Sequence, residues 1–224
     1  MPMTEKAIFA WSGGKDSAMA LYELQMTHSY EISVLLTTIT EDYDRVSMHG
    51  VPRILLEQQV DSLGLLLEEV FISKTTSNEE YENKIQVVLE KYQTSGVSSV
   101  VFGDIFLEEL RRYRENNLLK IGMKSVFPIW KRETTELAHA FIDLGFKAII
   151  TCVDSNFLDD KYVGRVFNGQ FLSELPSTID PCGENGEFHS FVYDGPIFRK
   201  SVSHKTGDII LRDNRFFYCD LIPF

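Results

Sequence analysis

The sequence predicts an α/β fold, a doubly wound parallel sheet with a small C-terminal α+β extension. Short apolar runs rich in β-branched or aromatic residues alternate with helically periodic segments over residues 1–154. Strands separated by helices form βαβ units with right-handed crossovers, hence a parallel sheet covered on both faces. After residue 154 the alternation ends, and residues 155–196 are irregular and rich in proline and glycine.

Six strands are predicted before residue 154, at residues 7–11, 32–39, 65–72, 99–102, about 125–129 and 147–153. Helices are predicted between them at residues 17–28, 52–63, about 106–119 and 134–144. The clearest helix starts at a capping box of Ser77 and Glu80 and ends before Gly96. Beyond the irregular segment, residues 198–203 and 208–212 predict a hairpin around Thr206-Gly207, and residues 216–222 predict a final strand.

Composition limits the class of protein. The 224 residues are 44% hydrophobic and 25% charged, enough for one large domain with a real core, or for one domain with a smaller appendage. No run approaches the roughly 20 apolar residues of a membrane helix, and the first residues lack a basic and apolar signal. We therefore expect a cytoplasmic protein without a membrane partner.

The cysteines and the net charge exclude further classes. Cys152, Cys182 and Cys219 are odd in number and far apart, which argues against a disulfide framework and a thiolate zinc site. The formal net charge of −11 argues against extensive nucleic-acid binding, because that affinity comes from Lys and Arg on phosphates. A small basic pocket for a nucleotide remains compatible with this charge.

A glycine-rich loop joins the first strand to the first helix. Its residues are Ser12, Gly13, Gly14, Lys15, Asp16 and Ser17. The glycines permit close approach of a ligand, and the helix N-terminus offers free N–H groups to an anion. Lys15 adds a positive charge. Asp16 suits an anion site only if a cation accompanies the phosphates, which predicts Mg²⁺.

The loop is not a Walker A motif. Phe9 stands where that motif needs a glycine, and Asp16 stands where it needs Ser or Thr. Residues 12–17 instead match the Ser-Gly-Gly-x-Asp-Ser signature, and in this the chain resembles the PP-loop ATP pyrophosphatases of the adenine nucleotide alpha hydrolase superfamily. The resemblance implies that the loop grips the pyrophosphate of ATP while a substrate oxygen attacks the α-phosphorus. Lys15 and Asp16 are then catalytic candidates.

A second group of candidates lies at the other strand ends. In a doubly wound sheet of strand order 3-2-1-4-5, ligands bind beyond the carboxyl ends of strands one and four. Gly103 and Asp104 end the fourth strand, so Asp104 is predicted to hold Mg²⁺ or to position pyrophosphate. The alternative is that Asp104 caps the next helix, and the two roles are compatible. Thr37 and Thr38 end the second strand and are candidates for the adenine and ribose edge.

Three further side chains are weaker candidates. His49, in a loop before a helix, either faces the nucleotide or is incidental. Arg111 and Arg114 share one face of the helix after Asp104 and either recognise an anionic substrate group or form a solvated face.

The segment at residues 180–191 reads D-P-C-G-E-N-G-E-F-H-S-F. With the loop and Gly103-Asp104-Ile105, it resembles the diphthine–ammonia ligase branch of the superfamily, in which a Gly-Glu-x-Gly-Glu-(Phe/Tyr) motif marks the C-terminal region. One position departs from the pattern, because members that make diphthamide usually have an acid where His189 stands.

This resemblance implies an ATP-dependent amide ligase that adenylates a small-molecule or protein-borne carboxylate and lets ammonia displace AMP. Four residues of the segment are candidates for binding the substrate: Glu184, Asn185, Glu187 and His189. The carboxylates would bind a cationic portion of the substrate or the ammonium ion. Alternatively the segment is a tight turn whose carboxylates cap local N–H groups. A metal site of Cys182, Glu187 and His189 would lack a fourth ligand.

Other functions remain open at this point. The first alternative to this ligase is a PP-loop enzyme acting on another small carboxylate or amide, such as an intermediate of cofactor salvage. A tRNA-thiolating enzyme is disfavoured by the charge and the cysteines, and a non-catalytic nucleotide sensor by the intact Lys15, Asp16 and Asp104. Free ammonia is the simpler source because no glutaminase segment is recognisable. A homodimer is left open.

Overall fold

The computed structural model describes residues 4–224, which form two β-sheets with helices around them. The strands are β1 (Glu5–Ala10), β2 (Tyr30–Thr40), β3 (Arg45–Val46), β4 (Leu67–Ile72), β5 (Ser99–Val101), β6 (Lys124–Val126), β7 (Lys147–Asp154), β8 (Phe188–Asp194), β9 (His204–Arg212) and β10 (Phe216–Pro223). The helices are α1 (Lys15–Thr27), α2 (Arg53–Leu63), α3 (Asn78–Thr94), α4 (Glu108–Lys120), α5 (Thr134–Asp143) and α6 (Gly169–Glu174).

The first sheet confirms the predicted strand order. β4, β2, β1, β5 and β6 lie side by side and pair in parallel, and the short β3 adds an antiparallel pair to β2. In the numbering of the sequence prediction, this is the order 3-2-1-4-5. The carboxyl ends of β1 and β5 are therefore neighbours, and the chain leaves them in opposite directions to form a crevice.

One strand was assigned to the wrong sheet. The run at 147–153 does form a strand, but β7 pairs antiparallel with β8 and β10 in a second sheet of order β8-β7-β10-β9. Its prediction as a sixth parallel strand was wrong. The physical reason is its burial, because all but the first residue of β7 are buried. A strand covered on both faces has the same continuous apolar pattern in either kind of sheet.

The predicted C-terminal hairpin was also wrong in position. β9 continues through Thr206-Gly207, and the turn to β10 lies at Asp213 and Asn214, both at positive φ (53° and 50°). Asp and Asn tolerate this conformation and favour hairpin turns for that reason. The glycine in β9 was mistaken for the turn, whereas residues 198–203 are not a strand.

The two sheets share one hydrophobic core. A single cluster of buried side chains includes Phe9 of β1, Leu35 of β2, Phe141 of α5 and Phe191 of β8. A second, smaller cluster lies on the other face of the parallel sheet, under α3 and α4. The shared core fixes the second sheet against the first, so the C-terminal segment is held at a defined place beside the crevice.

Candidate active site

A cleft of about 570 Å³ opens at the carboxyl ends of β1, β2 and β5. Its walls are the glycine-rich loop, the ends of the three strands, the loop carrying His49 and the segment around residues 183–190. A smaller side pocket of about 130 Å³ adjoins it between α3 and α4, beside Thr38 and Phe102. A concave site with apolar walls and a few converging polar groups is the usual form of a small-molecule site.

The loop holds a tight conformation. Gly13 has a φ of +78°, and a Cβ there would lie 2.9 Å from the amide oxygen of Gln59, so only glycine fits. The hydroxyl oxygens of Ser12 and Ser17 are 2.8 Å apart, and the N–H of Gly14 donates to Ser12 Oγ at 3.2 Å. The loop thus leads directly into the N-terminus of α1, where free N–H groups favour an anion.

Lys15 is the charge at the centre of this site. Its side chain is buried (3% exposed), and Nζ donates to both carboxylate oxygens of Asp16 at 2.7 and 2.8 Å. It also donates to the main-chain carbonyl of Cys182. Burial disfavours the ammonium form and is the largest single influence, but the charge and hydrogen bonds of Asp16 and the nearby Glu184 and Cys182 together raise the pKa of Lys15. Lys15 therefore stays charged and ties the loop to the C-terminal segment.

The end of β5 meets the loop at van der Waals distance. A Cβ at Gly103 would lie 3.0 Å from the backbone of Asp16 and of Ser17, which explains the glycine. Asp104 follows and forms a two-pronged ion pair with Arg114, at 2.6 and 3.1 Å. Helix α4 begins after Leu107 without a side-chain cap, so the alternative role of Asp104 as a helix cap was wrong.

The two glutamates of the C-terminal motif have different surroundings. Glu184 lines the cleft, and its Oε1 accepts the N–H of Ile105 at 2.7 Å. Burial, together with the Asp16 carboxylate, raises the pKa of Glu184 to about 7. Glu187 is 2% exposed and accepts three hydrogen bonds within its own loop, from the N–H groups of Asp180 and Asn185 and from the Asn185 side-chain amide. It shapes the loop rather than facing the cleft.

Two histidines from distant parts of the chain meet in the cleft. The rings of His49 and His189 lie 4.6 Å apart, and His49 Nδ1 is 3.2 Å from the carbonyl oxygen of Ser190. Burial lowers the pKa of His49 to about 4 and that of His189 to about 3, with the neighbouring histidine adding to the latter. Both rings are therefore neutral at pH 7, and His49 must donate from Nδ1 to that carbonyl.

The predicted candidates divide into those that line the cleft and those that do not. Thr37, Thr38 and Arg114 are part of its lining. The candidates outside the lining, within residues 4–224, are Gly13, Gly14, Arg111, Asn185 and Glu187. Arg111 stacks on Phe127 and Trp130, at 4.9 and 4.7 Å from the ring centroids. These aromatic contacts hold Arg111 away from the cleft. Arg111 and Arg114 lie on one face of the helix, but only Arg114 lines the cleft.

Comparison with known proteins supplies the family. Residues 5–125 match the N-terminal domain of diphthamide synthase, and residues 133–219 match its C-terminal domain. The chain belongs to the diphthamide synthase family. The boundary between the two matches lies between β6 and α5, close to where the chain passes from the first sheet to the second.

Individual members of the family are distant in sequence. A diphthine–ammonia ligase of Rattus norvegicus is 30% identical over 57% of this chain and 48% of its own length. That of Danio rerio is 25% identical over 92% of this chain and 89% of its own. That of Schizosaccharomyces pombe is 24% identical over 88% of this chain and 37% of its own. The match to the rat protein thus spans about half of that relative.

Two residues that position this site were missed from the sequence. The Gln59 amide is fully buried and donates to the carbonyls of Gly13 and Val192, and Ser190 Oγ accepts the N–H of Lys15 at 3.2 Å. The sequence could have indicated Gln59, because it is a polar residue on the apolar face of α2 beside Val60. Nothing in the sequence indicated Ser190 except its place next to the C-terminal motif.

The residues also fit a magnesium ion brought by a nucleotide. Within the described chain no group of three or more His, Cys, Asp or Glu side chains is arranged to hold a metal by itself. Magnesium commonly uses only one or two carboxylates and completes its shell with phosphates and water. Asp16 and Asp104 both line the cleft and supply such a pair.

No helix among residues 4–224 is long and apolar enough to cross a membrane.

Proposed function

We propose that this protein is an ATP-dependent, AMP-forming amide ligase of the diphthine–ammonia ligase type. The observation that carries the proposal is the convergence of the two family motifs on one cleft. Lys15 of the phosphate loop donates to Cys182 O, and Glu184 of the C-terminal motif accepts from the backbone beside Asp104. The chain matches both domains of diphthamide synthase, and several relatives that it resembles are named diphthine–ammonia ligase.

The cleft supplies distinct surfaces for the parts of ATP. The free N–H groups at the start of α1, with Ser12, Ser17 and Lys15, suit the pyrophosphate end. Thr37, Thr38 and the adjoining side pocket suit the ribose and adenine, and Gly14 lies close enough to His49 for that ring to approach the nucleotide. Asp16 and Asp104 would hold Mg²⁺, which neutralises charge on the phosphates when bound.

The reaction has two steps, and the chain provides for each. A carboxylate oxygen of the acceptor attacks the α-phosphorus and pyrophosphate leaves. The nitrogen of ammonia then attacks the acyl carbon, the bond to AMP breaks, and a proton is lost. Lys15 stabilises charge that develops on the leaving phosphates. Arg114 is placed to orient an anionic group, and Glu184 lines the cleft, where an ammonium ion or a cationic part of the acceptor can bind beside it.

His189 favours a second candidate acceptor. Diphthamide-making members usually have an acid at this position, whereas here a neutral imidazole packs on His49. Such a wall is less suited to a cationic acceptor. The alternative is therefore a ligase of the same chemistry acting on another small carboxylate in the cytoplasm.

The test is acceptor-dependent AMP formation. Purified protein is incubated with ATP, Mg²⁺ and ammonium, and either a diphthine-bearing elongation factor two or a panel of small carboxylates. AMP should form only when acceptor and ammonium are both present, and Lys15→Ala should abolish it. AMP with a small carboxylate alone would select the second candidate. ATP binding without AMP under every condition would contradict a ligase and favour a nucleotide sensor.

A further inference from the structure

The second sheet ends in an exposed apolar strand. β9 pairs with β10 along one side, and within residues 4–224 no strand pairs with its other side. Ile209, Ile210 and Leu211 are consecutive and 49%, 45% and 48% exposed, so both faces of the strand present apolar side chains to solvent. Exposed edges are usually protected by proline, bulges or inward-pointing charges, because their free N–H and C=O groups bind other strands. A bulge at residues 207–208 of β9 comes before the run, but Ile209–Leu211 itself pairs regularly with β10 and contains no proline and no charge.

The geometry points to a second copy of this chain as the partner of β9. We infer a homodimer in which two β9 strands pair antiparallel about a two-fold axis perpendicular to the sheet, joining two four-stranded sheets into one of eight strands. Such an interface is isologous, so each residue must find its complement on the same strand.

Charge complementarity selects the register. A two-fold axis through Ile210 places Asp208 of each copy opposite Arg212 of the other, Ile209 opposite Leu211, and Ile210 opposite itself. An axis through Asp208 instead places two aspartates together, and axes through Ile209 or Leu211 leave Asp208 and Arg212 opposite uncharged residues. Opposite charges across a strand pair stabilise it and like charges destabilise it.

The proposal is tested by charge exchange between two variants. Asp208→Arg gives a chain with two positive charges in the register, and Arg212→Asp gives a chain with two negative charges. Each alone should self-associate at least about tenfold more weakly than the wild type, because two like-charged pairs replace two opposite ones. Mixed in equal amounts, they should form a heterodimer as tight as the original, since every pair is again opposite.

Masses are read by light scattering over a dilution series, with the wild type at twice the 25.7 kDa monomer mass. Ile210→Lys should be monomeric, and Leu119→Lys, on exposed α4, is the control that should remain a dimer. Melting temperatures check that each variant is folded. A monomeric wild type would leave the edge to another partner and overturn the proposal. A dimer that survives Ile210→Lys and both charge changes would place the interface elsewhere.

Discussion

The phosphate loop and the C-terminal motif segment, residues 180–191, form opposite walls of one cleft but are specified in different ways. In the loop, each residue's role follows from its place between a strand and a helix. In the segment, Glu184 and Glu187 are three positions apart, yet one lines the cleft and the other is buried in hydrogen bonds of its own loop. A local sequence motif predicts a site well when the main chain itself forms the site. When side chains form the site, tertiary contacts decide which of them face the ligand.

The two regions are nonetheless physically coupled. Lys15 donates from its main chain to Ser190 and from its side chain to Cys182, and Val192 donates to the carbonyl of Gly13. A nucleotide that pulls Lys15 toward its phosphates therefore also acts on the segment. The following predictions separate what each region contributes.

Lys15→Ala should have the largest effect. It removes the only charge of the loop that can stabilise a leaving pyrophosphate, so the rate of AMP formation should fall by roughly 10²-fold or more. ATP affinity, measured by calorimetry, should fall as well. Lys161→Ala, at an exposed position, is the matched control and should leave both unchanged. Equal ATP affinity in Lys15→Ala and wild type would remove the loop from the nucleotide site.

Asp104→Asn should lower turnover more than it lowers ATP binding. The substitution keeps the shape but removes the charge available to Mg²⁺ and to Arg114, which should cost roughly 10²-fold in rate. Asp159→Asn, on the surface, is the control. A normal rate that is accompanied by a lower melting temperature would show that the pair with Arg114 serves stability alone.

The sequence was sufficient for the family, the strand order and the loop, because short-range patterns determine them. β7 escaped correct assignment because a fully buried strand looks alike in parallel and antiparallel sheets. The β9 turn was misplaced because Asp213-Asn214 carries the positive φ that glycine was expected to supply. The separation of Arg111 from Arg114, and of Glu187 from Glu184, depends on Phe127, Trp130 and loop N–H groups that no spacing in the sequence reveals.

Glu187→Gln should break the fold of the segment before it affects chemistry. A single amide oxygen cannot accept all three hydrogen bonds that the two carboxylate oxygens accept. Hydrogen bonds to charged groups contribute about 1.5–3 kcal/mol, so the melting temperature should fall by roughly 5–10 °C. Turnover at a temperature where the variant is folded should stay near normal. An unchanged melting temperature with a raised acceptor KM would instead assign Glu187 to the acceptor.

Glu184→Gln should change the stability of the protein by an amount that depends on pH. Burial raises the pKa of Glu184 to about 7 in the folded protein, whereas the unfolded chain loses this proton near pH 4.5. The folded state therefore holds one more proton between these values, so the wild type loses stability as pH rises through about 7.

Gln mimics the neutral acid and can still accept the N–H of Ile105, so the variant should not share this loss. Its melting temperature relative to wild type should rise by roughly 5–10 °C between about pH 5 and pH 8 without nucleotide or metal. Glu109→Gln, on the exposed part of α4, is the control and should follow the wild type at every pH. If Glu184→Gln and wild type change in parallel across this range, Glu184 ionises as a solvated carboxylate. The part of the segment that lines the cleft is then as well solvated as the protein surface. In that case Glu184 and Glu187 differ only in the hydrogen bonds that they accept.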